Sequence, residues 1–318
     1  MKYIRLHTTD PYLNLAIEEY LFANTREDVF MLWQNRPTVV IGKNQNAYAE
    51  VNLPYAEAKG ITVSRRITGG GAVYHDLGNV NYTFITSDSR AAALDYAYFT
   101  RPIIEALGEM GLECVLSGRN DLLCEGRKFS GNAQYSSGGR ILHHGTLLFD
   151  SDASVMQEVL KIDREKLEYH GVKSHKSRVV NLRTLLPQDI GTEDFIAAIE
   201  AHAAADAEVM VPPENEEIEA LRARNAGAAW IYSPRRYLTD YTLSRRIKFP
   251  CGSVNAEVKL NKTVIENIVI SGDFFSLAPI EELQQALVGA DIRALPPIDP
   301  SPYIHGMTFP ELQTLLCE

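Results

Sequence analysis

The chain has 318 residues, of which 45% are hydrophobic, and a formal net charge of −10 at pH 7. This length predicts a large core and about two domains, and the acidic balance excludes nonspecific nucleic-acid binding, which needs a basic surface. No run approaches the ~20 apolar residues of a membrane span and no signal-peptide pattern is present, so we predict a cytoplasmic protein without a nucleic-acid or membrane partner.

Strands outnumber helices in the first part of the chain. Asp10, which can cap a first turn, and Pro11 at the first helical position predict an opening helix. The other elements predicted before residue 226 are strands over Val29–Trp33, Thr38–Ile41, Ile61–Arg65, Leu112–Leu116, Leu122–Tyr135 and Arg140–Phe149, and helices over Leu94–Met110 and near 153–161, 192–206 and 214–225. Because strands and helices do not alternate regularly, we predict an α/β fold of the α+β type, with a mixed, largely antiparallel sheet flanked by helices.

The pattern restarts beyond about residue 235. Ser253–Leu260 and Thr263–Ile270 indicate two strands, joined by a turn at Asn261 and Lys262, and Pro279–Val288 indicates a helix. We therefore predict a main domain over residues 1–244 and a small C-terminal α+β domain over 245–318.

The run RRITGGGAVYHDLGNVNYTF, which starts at Arg65, combines two arginines with three consecutive glycines between predicted strands. Gly69, Gly70 and Gly71 lack a Cβ, so their backbone can adopt positive φ and their N–H groups can form a nest for an anion. Arg65 and Arg66 would add permanent charge. The pattern favours a pocket for a phosphate-bearing ligand, although a tight hairpin with solvated arginines fits an isolated GGG equally well. The run does not open a helix and no GK[ST] follows, unlike a Rossmann or P-loop motif.

A second informative run extends from Gly118 to Asp150 and reads GRNDLLCEGRKFSGNAQYSSGGRILHHGTLLFD. Lys128 lies on a predicted strand just before Ser130 and Gly131, and the next strand carries His144. We expect a cation, a hydroxyl, a small residue and an imidazole to meet on one face of the sheet. Taken alone, a strand lysine is usually solvent-facing and a single histidine is usually structural.

Together these motifs resemble those of the lipoate–protein ligases. The resemblance rests on RRITGGGAVYHDLGN, GRNDLLCEGRKFSGNA and HHGTLL in this order, on TVVIGKNQN and on SRVVNL, and it covers essentially the whole chain. It implies a biotin/lipoate ligase-like catalytic domain over residues 1–244 and an accessory domain over 245–318. It also implies an enzyme that uses ATP and Mg²⁺ to convert lipoate into lipoyl-AMP with release of pyrophosphate, and then transfers the lipoyl group to a specific lysine. The implied small-molecule partner is lipoate or octanoate. The implied acceptors are the apo lipoyl domains of 2-oxoacid dehydrogenase E2 subunits and the glycine cleavage H protein.

The resemblance further implies site residues. Lys128 is the expected catalytic residue, in contact with the α-phosphate and the lipoate carboxylate. The expected ATP and adenylate ligands are Arg66, Gly69, Gly70, Gly71, Ala72, Val73, Tyr74, Asn79, Lys128 and Arg178, and the expected lipoate ligands are Lys128, Val39, Val73, His144 and Gly145. Asp121 is the expected Mg²⁺ ligand, with an Asx-turn as the other interpretation. Val39 and Val73 fit a core role equally well, and His144 could orient the acyl group or satisfy a buried hydrogen bond.

Two other functions fit parts of the sequence. An octanoyl or lipoyl amidotransferase of the same superfamily would use a cysteine nucleophile, for which Cys124 is the candidate. A catalytically inactive lipoate-binding regulator is less consistent with a chain that has both Lys128 and Arg66. The four cysteines are scattered without a CxxC pair, so we expect them to be reduced packing residues.

Overall fold

The structure is a computed structural model that describes residues 1–88, 91–161, 179–233 and 239–317. Its strands are β1 (Lys2–Arg5), β2 (Val29–Trp33), β3 (Thr38–Ile41), β4 (Thr62–Arg65), β5 (Val73–His75), β6 (Asn79–Thr86), β7 (Cys114–Ser117), β8 (Asp121–Cys124), β9 (Arg127–Ser137), β10 (Arg140–Leu148), β11 (Glu208–Val209), β12 (Leu243–Phe249), β13 (Gly252–Asn261) and β14 (Val264–Gly272). Its helices are α1 (Pro11–Asn24), α2 (Ala47–Glu50), α3 (Leu53–Ala58), α4 (Tyr96–Glu109), α5 (Ala153–Val159), α6 (Thr192–Ala203), α7 (Glu216–Ala226), α8 (Ala228–Ile231), α9 (Ile280–Leu287) and α10 (Phe309–Cys317).

The largest sheet has eight strands in the order β11-β1-β2-β6-β10-β9-β8-β7. β1 pairs in parallel with β2 and β11. The five other pairs, β2–β6, β6–β10, β10–β9, β9–β8 and β8–β7, are antiparallel. The predicted α+β architecture, a mixed and largely antiparallel sheet flanked by helices, is confirmed. β3, β4 and β5 form a separate three-stranded sheet with β3 in the centre.

The two faces of the eight-stranded sheet differ in chemistry. Val80, Tyr82 and Phe84 of β6 belong to the hydrophobic core together with residues of α4 and α6. Because successive strand side chains point to opposite faces, Asn79 and Thr83 of β6 lie on the other face, where α1 packs. We call these the core face and the polar face.

Most predicted elements are confirmed, and one strand is not. Asp10 caps α1 by accepting from the Tyr12 N–H, and Pro11 is the first residue of that helix. The single extended segment predicted over Leu122–Tyr135 is wrong: Glu125 and Gly126 have φ of 50° and 73° and separate β8 from β9. Two adjacent residues at positive φ are typical of a tight hairpin turn, and the glutamate gave no sequence signal for it.

The described residues fall into two compact units. Unit 1 contains Met1–Val39, Asn52–Ser64 and Tyr74–Ala226, and unit 2 contains Val40–Val51, Arg65–Val73 and Gly227–Glu318. Unit 2 has its own core, built on β12, β13 and β14 with α9 and α10. The predicted domain boundary between residues 244 and 245 lies within unit 2. The division into a catalytic and an accessory domain at this point stays a prediction. Over the described ranges, no helix is both long and apolar enough to cross a membrane.

Candidate active site

Lys128 of unit 1 reaches the polar face because of an irregularity in the pairing of β8 and β9. The register shifts next to it, so that Phe129 is an extra residue without a partner on β8. Phe129 and Ser130 are both buried toward the core face, where the Ser130 hydroxyl accepts a hydrogen bond from Asn132 Nδ2. The bulge therefore places Lys128 on the same face as Gly131, three positions away, and removes the predicted Ser130 hydroxyl from that face.

The Lys128 ammonium is held against a carboxylate and a glycine. Its Nζ lies 2.8 Å from Asp121 Oδ1, and the two side chains are 39% and 37% exposed. Gly131 lies opposite Asp121 in the register, and a Cβ at this glycine would be 3.4 Å from Lys128 Nζ. The Gly131 N–H donates to Thr146 Oγ1 at 3.3 Å. Thr146 thus supplies the hydroxyl that sequence reasoning assigned to Ser130; its place two residues after His144 was the available signal.

His144 also lies on the polar face, and a helix residue contacts it there. Its Nδ1 lies 2.9 Å from Oε1 of Glu18, whose side chain is 1% exposed. Thr83 Oγ1 donates to the same carboxylate oxygen at 2.7 Å. We did not predict a role for Glu18 from the sequence, although its spacing from the buried residues Asn14 and Leu21 places it on the inner side of α1.

The neighbours of His144 in β10 point to the core face. His143 is fully buried and stacks on the Phe99 ring at 4.8 Å. Burial lowers the pKa of His143 well below its usual value, and His144 adds a smaller effect. A Cβ on Gly145 would overlap Asn132 Oδ1 and the Tyr82 ring, so a glycine is required here for packing. Lipoate binding by Gly145 stays a prediction and would involve its backbone.

Two predicted nucleotide ligands of unit 1, Tyr74 and Asn79, flank the turn over residues 76–78. Asn79 is buried on the polar face and donates from Nδ2 to Asn81 Oδ1 at 2.9 Å. Tyr74 is buried, and burial followed by the charges of Asp76 and Asp152 raises its pKa to about 12. The turn is fixed by Asp76 Oδ1, which accepts from the Gly78 N–H at 2.9 Å.

The two arginines before the glycine run organise the backbone of unit 2. The guanidinium of Arg65 is buried and donates to five backbone carbonyl oxygens at 2.6 to 3.0 Å, those of Gly42, Lys43, Gln45, Trp230 and Ile231. Arg66 Nη2 donates to the carbonyl oxygens of Gly69 and Gly71 at 2.7 and 2.8 Å. We predicted that both cations contact a ligand, whereas the Arg65 guanidinium holds separate chain segments together.

In the glycine run, the backbone is accessible to a ligand from Gly71 onward, whereas Gly69 and Gly70 are packed against neighbouring residues. Gly70 has φ of 87°, and a Cβ on Gly69 would lie 2.5 Å from the Phe274 carbonyl oxygen in the same unit. Gly71 is exposed, and a Cβ there would meet only Asp273 Cβ at 3.9 Å. Ala72 and Val73 are partly exposed. Packing accounts for Gly69 and Gly70, and the accessible backbone begins at Gly71.

The remaining predicted ligands have separate outcomes. Val39 is fully buried in β3, and Arg178 lies outside the described residues. Within the described ranges, no three or more His, Cys, Asp or Glu side chains form a metal-binding group. Mg²⁺ carried by a nucleotide needs only one or two carboxylates, because phosphates and water fill its other positions. The partly exposed Asp121 carboxylate fits that limited requirement.

Comparison with known proteins decides the family. Residues 10–204 match the family described as the lipoyl protein ligase A/B catalytic domain, and residues 239–314 match the bacterial lipoate protein ligase C-terminus. The chain belongs to the lipoate–protein ligase family. It is 39% identical over 292 residues to lipoate-protein ligase LplJ of Bacillus subtilis, a match covering 88% of this chain and 87% of the relative. It is 38% identical over 296 residues to lipoate–protein ligase 1 of Staphylococcus aureus, covering 91% and 90%.

Solved structures share the fold of this lipoate–protein ligase family member. The crystal structure of P. falciparum LipL1 in complex with lipoate has a TM-score of 0.78 and 23% identity, covering 95% of this chain and 93% of that one. A lipoate-protein ligase A bound with ATP has a TM-score of 0.61 and 23% identity, covering 73% and 98%. The family resemblance seen in the motifs is thereby confirmed, and the ligand-binding roles of individual residues stay predictions.

Proposed function

We propose that this chain is an ATP-dependent lipoate–protein ligase that forms lipoyl-AMP and transfers the lipoyl group to a lysine of an acceptor domain. The observation that carries the proposal is the placement of Lys128 on the polar face, beside Gly131, by the bulge at Phe129. Both the Bacillus and Staphylococcus relatives are named lipoate-protein ligases. Membership of the family together with this lysine supports an enzyme over a binding protein.

In the first half-reaction, the formation of lipoyl-AMP, the Lys128 ammonium would reduce the repulsion between the lipoate carboxylate and the α-phosphate of ATP. A carboxylate oxygen of lipoate attacks the α-phosphorus of ATP, an O–P bond forms, and the bond to the β-phosphate oxygen breaks with release of pyrophosphate. Two anions must approach each other, so a cation already in place stabilises the charge that accumulates in the transition state. Substrate oxygens would replace Asp121 as partners of the Lys128 ammonium.

We assign nucleotide binding to the accessible backbone from Gly71 to Val73 together with Tyr74 and Asn79. Successive N–H groups at the end of a glycine run can bind phosphate oxygens. Arg66 holds this loop through the carbonyl oxygens of Gly69 and Gly71, which gives it a role in shaping the loop in addition to the predicted contact with the adenylate.

Mg²⁺ belongs to the proposal as a companion of ATP. When bound, it neutralises phosphate charge and orients the pyrophosphate leaving group. Asp121 would be its protein ligand. The residues that we propose to contact lipoate are Lys128, Val39, Val73, His144 and Gly145, and Arg178 would act on the adenylate.

The acceptors that we propose are the apo lipoyl domains of 2-oxoacid dehydrogenase E2 subunits and the glycine cleavage H protein, and we place the enzyme in the cytoplasm. The test is to incubate the full chain with ATP, Mg²⁺, lipoate or octanoate and an apo lipoyl domain, and to measure the mass of the acceptor. A mass increase of one lipoyl group that requires ATP supports the proposal. A shift that needs an acyl-protein donor and no ATP would favour the amidotransferase, and ligand binding without any shift would favour the regulator.

The position of Cys124 weighs against the amidotransferase. Cys124 is buried in the core and lies directly opposite Cys114 in the β7–β8 register. Burial, followed by the contact with Cys124, raises the pKa of the Cys114 thiol. A nucleophilic cysteine needs access and an electropositive setting, and a core position on the face away from Lys128 offers neither.

A further inference from the structure

A lysine and an aspartate near the three-stranded sheet β12–β13–β14 lie close to the glycine run, and all of these residues belong to unit 2. Lys248 is in β12, and its Nζ lies 3.9 Å from Oδ2 of Asp273, which directly follows β14. A Cβ built on Gly71 would lie 3.9 Å from Asp273 Cβ. The Asp273 side chain is therefore adjacent both to the Lys248 ammonium and to the accessible end of the glycine run.

Backbone contacts hold the glycine run against the segment that follows β14. The Gly70 N–H donates to the Phe274 carbonyl oxygen at 3.2 Å. A Cβ on Gly69 would lie only 2.5 Å from the same oxygen, so the two backbone segments are packed as closely as glycine allows. Asp273 directly precedes Phe274. The separation between Asp273 and the glycine run is thus set by packed backbone.

The Asp273 carboxylate is held in place by the start of β13. Its Oδ1 accepts from the Ser253 N–H at 2.5 Å, and the Asp273 N–H donates to the Ser253 carbonyl oxygen at 3.2 Å. Gly252 has φ of 136°, and a Cβ there would lie 2.6 Å from Asp273 Oδ1, so a glycine is needed at this position. One carboxylate oxygen is thus bound by backbone, and the other is the atom that pairs with Lys248.

The chemistry at this point suits a polyphosphate. The Lys248 side chain is 57% exposed, and its 3.9 Å separation from Asp273 is longer than the roughly 2.8 Å of a charge-assisted hydrogen bond. An exposed ion pair of this kind adds little to the stability of a fold. Backbone N–H groups at the end of a glycine run can bind one phosphate group, and a lysine beside them can bind the next as a point charge.

We propose that Lys248 binds the β- and γ-phosphates of ATP and exchanges Asp273 for a phosphate oxygen when the nucleotide binds. The inference rests on the proposed function and gives the three-stranded sheet of unit 2 a part in adenylate formation. In that step a lipoate oxygen forms a bond to the α-phosphorus, the bond from this phosphorus to the bridging oxygen breaks, and pyrophosphate keeps the electron pair. Negative charge increases on the leaving group, and the Lys248 ammonium stabilises it. Lipoyl-AMP has no β- or γ-phosphate, so the transfer step does not need Lys248.

The test replaces Lys248 with Met in the full chain, which keeps most of the aliphatic stem and removes the charge. Isothermal titration calorimetry without lipoate measures the Kd of ATP with Mg²⁺ and the Kd of AMP. We expect the Kd of ATP to rise roughly 10-fold, the cost of one hydrogen bond to a charged group that solvent partly screens, and the Kd of AMP to stay within about 2-fold. With lipoate present, kcat/KM for ATP in pyrophosphate release should fall at least about 10-fold, whereas transfer from presynthesised lipoyl-AMP to an apo lipoyl domain should stay within about 2-fold.

Lys259 offers a matched control in β13 of the same sheet. Its side chain is 41% exposed and pairs with Asp240 at 2.8 Å, so Lys259→Met should leave the two affinities and the two half-reactions unchanged. Lys248→Arg keeps the charge and should retain most of the affinity for ATP. The difference in Kd of ATP between Lys248→Met and the wild type should shrink as the salt concentration rises, because salt screens a contact between exposed charges.

An unchanged Kd of ATP in Lys248→Met would overturn the inference. Equal weakening of ATP and AMP binding, or equal losses in adenylate formation and transfer, would also overturn it, because a role limited to the β- and γ-phosphates affects neither AMP nor lipoyl-AMP. If the wild type forms no lipoyl-AMP at all, the proposed function fails instead. The calorimetric comparison of ATP with AMP still reports on Lys248 in that case, so the two failures are distinguishable.

Discussion

Lys128 Nζ and Asp121 Oδ1 lie 2.8 Å apart on the polar face of the eight-stranded sheet. They meet there because the bulge at Phe129 turns Lys128 to the side on which Asp121 and Gly131 already lie. The carboxylate keeps the ammonium charge balanced, and the partial exposure of both groups leaves them open to exchange with an anionic substrate.

Replacing Lys128 with Ala should abolish adenylate formation while leaving the fold intact, because the ammonium stabilises charge in the transition state and is partly exposed. We expect pyrophosphate release from ATP and lipoate to fall by at least ~100-fold. Arg127→Ala is the matched control, since this adjacent cation pairs with the exposed Glu125. Wild-type pyrophosphate release by Lys128→Ala would refute the assigned role.

Replacing Asp121 with Asn should raise the Mg²⁺ concentration needed for half-maximal activity. A neutral amide keeps an oxygen ligand but loses the charge that a hard cation prefers. The rate of pyrophosphate release is measured across a Mg²⁺ titration, and saturating Mg²⁺ should restore most of it. A loss that no Mg²⁺ concentration relieves would mean that Asp121 acts only as the partner of Lys128.

Replacing Gly69 with Ala should destabilise unit 2, because the added Cβ would lie 2.5 Å from the Phe274 carbonyl oxygen. We expect the free energy of unfolding to fall by about 1–3 kcal/mol, the usual cost of overpacking. Gly71→Ala should change it by less than ~0.5 kcal/mol, as surface substitutions do. Chemical denaturation of the two variants compares them directly, and equal destabilisation would contradict the packing described for the loop.

The buried His143 should make stability depend on pH. Its pKa is lowered in the folded state, so below the ordinary histidine pKa of about 6.5 the unfolded chain binds a proton that the folded chain does not. The free energy of unfolding should therefore drop by about 1.4 kcal/mol per pH unit from this group as the pH falls below ~6.5. The His143 contribution should be absent above that pH.

Denaturation curves at several pH values would measure this slope in the wild type and in His143→Gln. The variant should show a shallower slope, and a variant of the exposed His7 should keep that of the wild type. Identical slopes for all three proteins would mean that His143 is protonated in the folded state.

Replacing Cys124 with Ser should leave ATP-dependent lipoylation within about 3-fold of the wild type, because a buried core thiol is not the nucleophile. Acceptor mass spectrometry over time gives the rate. Complete loss of lipoyl transfer in a folded Cys124→Ser protein would favour the alternative function, an amidotransferase with Cys124 as its nucleophile.

The sequence by itself determined the elements whose signals are local and the family to which the chain belongs. Asp10 and Pro11 locate the start of α1 because a cap and a first-turn proline act within a few residues. The strands Val29–Trp33 and Thr38–Ile41 are found at their predicted limits. The long motifs placed Lys128 and His144 on adjacent strands without any knowledge of the fold.

Only the tertiary structure decided which side chains share a face and which cations are available. The bulge that separates Lys128 from Ser130 depends on the register between β8 and β9, and no local pattern encodes it. Glu18 and His144 are 126 positions apart in the chain, and Arg65 is occupied by carbonyl groups of distant segments. Such pairings arise from burial, since polar groups removed from water must find partners wherever the folded chain places them.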